Sequence, residues 1–186
     1  MINGTDKKLS LDDGNDAKEA GAGGRSCVNT CSDGFRSIQG SYLAPGDVLD
    51  ANNQITIKFL KDNSTGDWGV YVGPGVGDTY LSRIGYFPKY LFTRLADSGN
   101  YAEFGGAIKF LSSLKSPPMG NGIYAKELQR NGDPLPAIMK NIYYIRPDGW
   151  YLARYYSRHS YQNCYGLGKL MVQDNSFGYG GPGGCS

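Results

Sequence analysis

Few side chains in this sequence have the type and spacing that chemistry requires. His159 is the single histidine and lies between Ser157 and Ser160 in the segment SRHSY, which suggests a serine hydrolase. Adjacent residues of a strand point to opposite faces, however, and the nucleophile motif G-x-S-x-G of many such hydrolases does not occur in the sequence. We therefore interpret His159 as an ordinary surface histidine.

The four cysteines form two groups that are local in sequence. Cys27 and Cys31 lie in CVNTC, and Cys164 and Cys185 bracket the carboxyl-terminal segment. An even number of cysteines in local pairs is typical of short disulfide loops in a secreted protein. A zinc site that includes His159 is the alternative, but a single C-x3-C without a second close pair is poor zinc spacing. We favour disulfides and expect neither a metal nor a cofactor.

The composition favours strands and tight turns over long helices. The 186 residues include 28 glycines and 15 tyrosines, and charged residues make up 19%, so we expect one all-β domain. The net charge is only +2 and the Lys and Arg residues form no run, which argues against a nucleic-acid partner. No stretch approaches the roughly 18 apolar residues of a membrane helix, so we expect no membrane partner.

The first 26 residues have the composition of a disordered leader without the apolar core of a signal peptide. The cysteines nevertheless favour an oxidising compartment, and the acceptor triplets at Asn3 and Asn63 fit a secretory route. We therefore expect a secreted protein whose signal peptide is missing from this chain, with residues 1–26 as leader and residues 27–186 as the folded domain.

The clearest strand pattern covers residues 54–72. Apolar and polar residues alternate on both sides of a turn cluster at residues 62–66, which predicts a β-hairpin. The glycine-rich segment 73–77 after it lacks the G-x-G-x-x-G spacing of a dinucleotide loop and is interpreted as a plain loop. The alternating apolar positions are Ile55, Ile57, Phe59, Trp68, Val70 and Val72.

The remaining patterns predict a helix, further strands and an irregular end. A short helix is expected from Pro88, with Gly99 as its cap, and a strand over residues 102–110. Tyrosine-rich strands are expected at 137–145 and 150–156 around a turn at 147–149. The closing segment 177–185 is too glycine-rich to predict regular structure.

Several short motifs occur in one order from Cys27 to the end of the chain. The motifs are Gly34-Phe35 after the cysteine pair, Gly66-Asp67-Trp68, Ile84-Gly85-Tyr86-Phe87-Pro88, Phe104-Gly105-Gly106, Pro118-Met119-Gly120, Asn163-Cys164-Tyr165 and Gly180-Gly181-Pro182-Gly183. This ordered set resembles the neprosin family of plant glutamic peptidases, whose signature reads GYWP, then LF, then WGGE.

The resemblance implies an antiparallel β-sandwich of the glutamic-peptidase-like type with an active-site groove on one sheet. It also implies the disulfides Cys27–Cys31 and Cys164–Cys185. The chemistry of such enzymes requires two carboxylates that share one water, one of which accepts a proton while the other donates one. Because close carboxylates cannot both ionise easily, such a pair works best in acid.

The sequence departs from this family at both catalytic positions. The first glutamate of the family lies in a strand that reads roughly EAGW, and nothing before Cys27 resembles that strand. Glu19 is the only glutamate there, and its surroundings, KEAGAGG, predict no strand. The second catalytic position, after the paired glycines, is occupied by Ala107, whose methyl group cannot transfer a proton.

Glu103 is the remaining acid near the second catalytic position. It lies four residues before Ala107, which is about 13 Å along a strand, so it cannot simply replace the missing carboxylate. One hypothesis is that Glu103 is a residual acid in a groove lined by Gly105, Gly106 and Ala107. We favour the alternative, an ordinary exposed carboxylate.

Two functional hypotheses follow. The chain resembles secreted glutamic endopeptidases that cleave peptide substrates after proline, and without both glutamates it would be inactive. The alternative is a non-catalytic extracellular module that binds peptide or carbohydrate, in which aromatic residues such as Trp68 and Trp150 stack on sugar rings. Because amino-terminal strands are missing from the expected sandwich, an exposed sheet edge would also favour self-association.

Overall fold

The computed structural model places nine β-strands and one 3₁₀ turn within the residues it describes. All strand pairs there are antiparallel, and the described residues contain no helix long and apolar enough to cross a bilayer. The prediction of an all-β antiparallel fold is therefore confirmed. The described residues are 34–41, 43–44, 47, 54–99, 102, 104–108, 110–111, 113–126, 130–152, 163–169, 171–173 and 175–185.

The chain divides into two units, one that ends at Ala102 and one that begins at Glu103. The first, called here the amino-terminal unit, contains a four-stranded sheet in the order β1-β4-β3-β2. Its strands are β1 (Arg36–Ser37), β2 (Ile55–Lys61), β3 (Trp68–Pro74) and β4 (Ser82–Phe87). The second, the carboxyl-terminal unit, contains β5 (Ala137–Met139), β6 (Tyr143–Arg146), β7 (Gly149–Leu152), β8 (Gly166–Leu167) and β9 (Phe177–Gly180).

The hairpin predicted over residues 54–72 is confirmed as β2 and β3. The pairing of Ile57 with Val72 and of Phe59 with Val70 places the alternating apolar residues on one face of the sheet. On that face Val70 and Val72 belong to a buried apolar cluster and Phe59 packs against it, whereas Ile57 stays 44% exposed. The buried members of the cluster are Phe35, Val70, Val72, Ile84, Phe87 and Phe92.

Gly85 allows β1 to lie close to β4. A Cβ atom on Gly85 would lie 2.2 Å from Cζ of Phe35 and 2.4 Å from the carbonyl oxygen of Arg36. Because no side chain fits in that space, the glycine of the Gly85-Tyr86-Phe87-Pro88 motif has a packing role: it admits the Phe35 ring to the core.

The helix predicted after Pro88 is only a 3₁₀ turn, Lys89–Leu91. At Phe92 the backbone becomes extended (φ −120°, ψ 146°), and the Phe92 ring packs against Phe87 with centroids 6.3 Å apart. A longer helix was therefore the wrong prediction, because burial of Phe92 beside Phe87 decides the backbone path. Leu91 and Leu95 pack against the same cluster, as the apolar pattern indicated.

The carboxyl-terminal unit has a three-stranded sheet in the order β5-β9-β8 and the hairpin β6-β7. The turn predicted at 147–149 is confirmed, since Arg146 pairs with Gly149 across Pro147 and Asp148. The single strand predicted at 137–145 is instead two strands, because Asn141 adopts a positive φ of 55° that interrupts the extended backbone. Of the strand predicted at 150–156, residues 153–156 lie outside the described residues.

Two further predictions for this region were wrong. The segment 177–185 contains β9, the central strand of its sheet, although its glycines predicted irregular structure. The described residues of 102–110 form no strand, although their alternation predicted one. A strand forms only where a neighbouring strand pairs with it, and alternation of apolar and polar side chains does not supply that neighbour.

Candidate functional site

The segment that carries Gly105, Gly106 and Ala107 lies exposed on the surface of the carboxyl-terminal unit. A Cβ atom on Gly106 would lie 2.6 Å from Sδ of Met119 and 3.0 Å from a ring carbon of Tyr179. The backbone at Gly106 therefore lies directly against these two side chains, and an added Cβ would force the Met119 side chain to shift. Gly105 has no atom within 4 Å of the same position, so the two glycines differ in role.

Met119 joins this segment to the glycine-rich end of the chain. Its N–H donates to the carbonyl oxygen of Gly181 at 2.9 Å, and the N–H of Gly181 donates back to the carbonyl oxygen of Met119 at 3.1 Å. Nearby, the N–H of Ala125 donates to the carbonyl oxygen of Gly180 at 3.3 Å. These bonds continue the pairing of β9 beyond the strand itself.

The disulfide between Cys164 and Cys185 fixes the end of the chain beside the same residues. It closes a sequence separation of 21 residues, with Cα atoms 5.9 Å apart, and it confirms the predicted pairing. The N–H of Cys185 donates to Oγ of the buried Ser116 at 2.9 Å, and the N–H of Ser116 donates to the carbonyl oxygen of Cys185 at 2.7 Å. The hydroxyl of Tyr165 donates to the carbonyl oxygen of Pro117 at 2.7 Å.

Motifs that are far apart in sequence thus meet within one unit. We call the meeting point the motif cluster and define it by Gly106, Met119, Tyr179, Gly181 and Cys164. Backbone contacts hold it together: a Cβ atom on Gly181 would lie 2.0 Å from the carbonyl oxygen of Cys164. Motifs from three separate parts of the sequence are therefore in contact in the fold.

The family model that matches this chain is Neprosin, over residues 16–182. The chain belongs to the Neprosin family. No curated protein and no solved structure matched it in the corresponding comparisons. The match begins before Cys27, where the sequence resemblance begins, and it includes Glu19.

At the position of the Neprosin signature that follows the paired glycines, the structure presents the exposed methyl group of Ala107. A methyl group neither accepts nor donates a proton, so this position has no acid or base. The other acids proposed from the sequence, Glu103 and Glu19, lie outside the described residues, as do Cys27, Cys31 and His159. Their predicted roles stay predictions.

The two described carboxylates of this unit have local partners. Asp133 accepts hydrogen bonds from the N–H of Arg130 at 3.0 Å and from the Lys126 ammonium at 2.9 Å, and both lower the pKa of its carboxyl group. Asp148 accepts a hydrogen bond from the hydroxyl of Tyr151 at 2.8 Å. A general acid needs a raised pKa, so Asp133 is unsuited to that role.

Tyr179 is the titratable group of the motif cluster. Burial raises the pKa of its hydroxyl above the ordinary value, because the ionised phenolate would lose hydration. The group is therefore neutral over the physiological range. Among the residues that the structure describes, no group of three or more His, Cys, Asp or Glu side chains is placed to hold a metal ion.

Sequence reasoning did not identify Met119 and Tyr179 as neighbours of the paired glycines. Tyr179 lies in the segment 177–185, for which no regular structure was predicted, and Met119 was noted only as part of the motif Pro118-Met119-Gly120. The available signal was that Phe104-Gly105-Gly106, Pro118-Met119-Gly120 and the glycine-rich end all belong to the motif set, which is consistent with their contact in the fold.

Proposed function

We propose that this chain is a secreted Neprosin-family protein that has lost glutamic peptidase activity and binds peptides without cleaving them. The observation that carries the proposal is the methyl group of Ala107 at the exposed position after the paired glycines. Loss of a catalytic acid or base removes orders of magnitude in rate, while binding by backbone and apolar groups does not need it.

The backbone near Ala107 supports peptide binding. Residues 104–108 are described outside any strand, and no hydrogen bond involves their backbone groups within the described part of the chain. Exposed N–H and C=O groups of this kind can pair with an extended peptide, as an unpaired sheet edge does. Phe104, whose side chain is 43% exposed, adds apolar surface beside them.

The compartment is part of the same proposal. The disulfide between Cys164 and Cys185 fits an oxidising environment. Asn63, one of the two acceptor sites for glycosylation, lies exposed in the turn between β2 and β3. Both observations fit a secretory route.

The test is incubation of the purified chain with proline-containing peptides at acidic pH, with cleavage followed by mass spectrometry and binding followed by fluorescence anisotropy. We expect binding without cleavage. Cleavage that is abolished by Glu103→Gln would contradict the proposal and would make Glu103 catalytic. Absence of both binding and cleavage would contradict the peptide-binding half of it.

A restoration experiment separates the two missing carboxylates. Ala107→Glu alone is expected to remain inactive, because no segment before Cys27 resembles the strand that carries the family's first glutamate. If Ala107→Glu did cleave, the chain would contain a partner carboxylate, and Glu19→Gln in the Ala107→Glu background would show whether Glu19 is that partner. Ala107→Gln is the matched control, since it has the same length without the acid.

A further inference from the structure

The hairpin β6-β7 exposes an unusual number of aromatic side chains. All four residues of β6 are exposed, and so is Trp150 on β7. In a small domain such residues usually fill the core. The exposed fractions are 41% for Tyr143, 39% for Tyr144, 37% for Ile145 and 56% for Trp150.

One face of the hairpin presents an arginine on an aromatic pair. The rings of Tyr144 and Tyr151 stack with centroids 5.4 Å apart and an interplanar angle of 17°. The guanidinium carbon of Arg146 lies 5.3 Å from each centroid. Asp148, the nearest acid in sequence, accepts instead from the hydroxyl of Tyr151. Arg146 is thus positioned by stacking, and no described carboxylate pairs with it.

The other face presents an apolar platform. Ile145 pairs with Trp150 across the hairpin, and the Tyr143 ring meets Trp150 edge to face with centroids 6.3 Å apart. Such an aromatic surface suits the C–H face of a pyranose ring, because it offers apolar area without requiring a hydrogen-bond partner.

The charge distribution favours an anionic ligand for this unit. Residues 103–186 carry nine Lys and Arg against five Asp and Glu, whereas residues 1–102 carry ten against twelve. The excess of positive charge is therefore confined to the part of the sequence that contains the hairpin. An anionic polymer would be attracted to this half of the chain and not to the other.

We propose that the β6-β7 hairpin binds an acidic polysaccharide, a chain of uronic acid units. Arg146 pairs with a sugar carboxylate, and Trp150 with Tyr143 stacks on a sugar ring. A polymer that crosses the edge of a two-stranded hairpin contacts both faces. Nucleic acid is less suited, because its affinity depends on many phosphate contacts and the hairpin strands contain a single cation.

Binding is measured on the full chain by affinity electrophoresis in gels that contain polygalacturonate, with dextran and poly(U) gels in parallel. We expect retardation in polygalacturonate that weakens as salt is added, and little in the other two. Equal retardation in dextran, which has no carboxylate, would show that Arg146 does not need a sugar carboxylate for binding and would overturn the proposal. Stronger retardation in poly(U) would assign the hairpin to nucleic acid and overturn the proposal.

Variants identify the surface. Arg146→Gln should weaken binding about fivefold and Trp150→Ala about tenfold. The matched controls are Lys169→Gln, an exposed cation elsewhere in the same unit, and Tyr80→Ala, an aromatic residue 72% exposed in the other unit. Controls that weaken binding as much as the hairpin variants would show general charge attraction instead of a site.

Tryptophan fluorescence gives a second readout. The chain has two tryptophans, and Trp68 is partly buried with its indole N–H donating to the carbonyl oxygen of Leu95 at 2.8 Å. Polygalacturonate should therefore protect Trp150 selectively from iodide quenching, and Trp150→Ala should abolish that protection. Protection that survives in Trp150→Ala would contradict the proposal. Neither variant changes Ala107, so failure here would leave the proposed loss of peptidase activity untouched.

Discussion

The amino-terminal and carboxyl-terminal units are stabilised by different means. In the amino-terminal unit, six buried side chains form one apolar cluster on a four-stranded sheet. In the carboxyl-terminal unit, the described strands are shorter, and a disulfide, the Ser116 hydrogen bonds and close backbone contacts at glycines surround the motif cluster.

The difference shows two ways of ordering a short β-sheet. Burial of apolar side chains is non-directional, so the first unit should tolerate changes that conserve volume. Backbone contact at glycine is steric and leaves no space for a side chain, so the second unit should be intolerant of an added side chain at those closely packed glycines.

The largest expected effect is loss of the disulfide. Replacing both Cys164 and Cys185 by alanine should destabilise the carboxyl-terminal unit by about 3 kcal/mol, because the unfolded chain regains the freedom of a loop of roughly 20 residues. Amide hydrogen exchange should show faster exchange at residues 164–185 and unchanged protection at Val70 and Val72. Equal loss of protection in both units would mean that they unfold together.

Glycine substitution should be nearly as costly where the backbone is close. A Cβ atom on Gly166 would lie 1.9 Å from the carbonyl oxygen of Ala125. Gly166→Ala should therefore destabilise by about 2–3 kcal/mol in urea unfolding. Gly105→Ala, where nothing lies within 4 Å, should be neutral or slightly stabilising. A similar cost at both sites would show that the close contact at Gly166 is not the cause of the loss, since removing backbone freedom alone would stabilise the protein.

A cavity in the apolar cluster should have a somewhat smaller effect. Val70 has no exposed surface, and Val70→Ala should lower the free energy of unfolding by about 2 kcal/mol through lost burial and a residual cavity. Val172→Ala makes the same chemical change at a residue that is 78% exposed, and it should stay within about 0.5 kcal/mol. Equal effects would indicate that the cluster contributes little.

The smallest expected effect is a loss of stability at alkaline pH that comes from Tyr179 in the motif cluster. Burial raises the folded-state pKa of Tyr179, so its contribution to stability is fully present below the ordinary tyrosine pKa of about 10 and is lost as pH rises through the folded-state pKa. Tyr179→Phe should reduce the loss of stability above that pH, as thermal unfolding would show. Tyr80→Phe, a change at a side chain that is 72% exposed, should leave the alkaline profile unchanged.

Sequence patterns predicted the amino-terminal unit better than the carboxyl-terminal one. Ile57, Phe59, Val70 and Val72 form a hairpin because their alternation matches the two faces of a half-buried sheet, and periodicity detects that directly. The helix after Pro88 was overestimated because the sequence does not reveal that Phe92 packs against Phe87.

In the carboxyl-terminal unit the contacts that determine the fold involve backbone atoms. Such contacts leave no pattern of apolar and polar side chains in the sequence. Phe177–Gly180 is a strand because β5 and β8 pair with it on both sides, although glycine disfavours strands locally. Conversely, the side chains around Ala107 alternate as in a strand, but no described strand pairs with this segment and its described residues form none. The Ala107 substitution itself was visible in the sequence, but the packing of the preceding Gly106 against Met119 and Tyr179 required the fold.

The disulfide also determines whether the products of a single proteolytic cut separate. Because Cys164 and Cys185 bracket β8 and β9, a single cut anywhere between them leaves both pieces covalently joined. The central strand β9 would then be held in place by its pairing on both sides and by the bond at Cys185. A nicked chain would run as one species on a non-reducing gel and as two after reduction. That covalent ring would keep the residues of the motif cluster between Cys164 and Cys185 attached to the rest of the chain beyond the first cut.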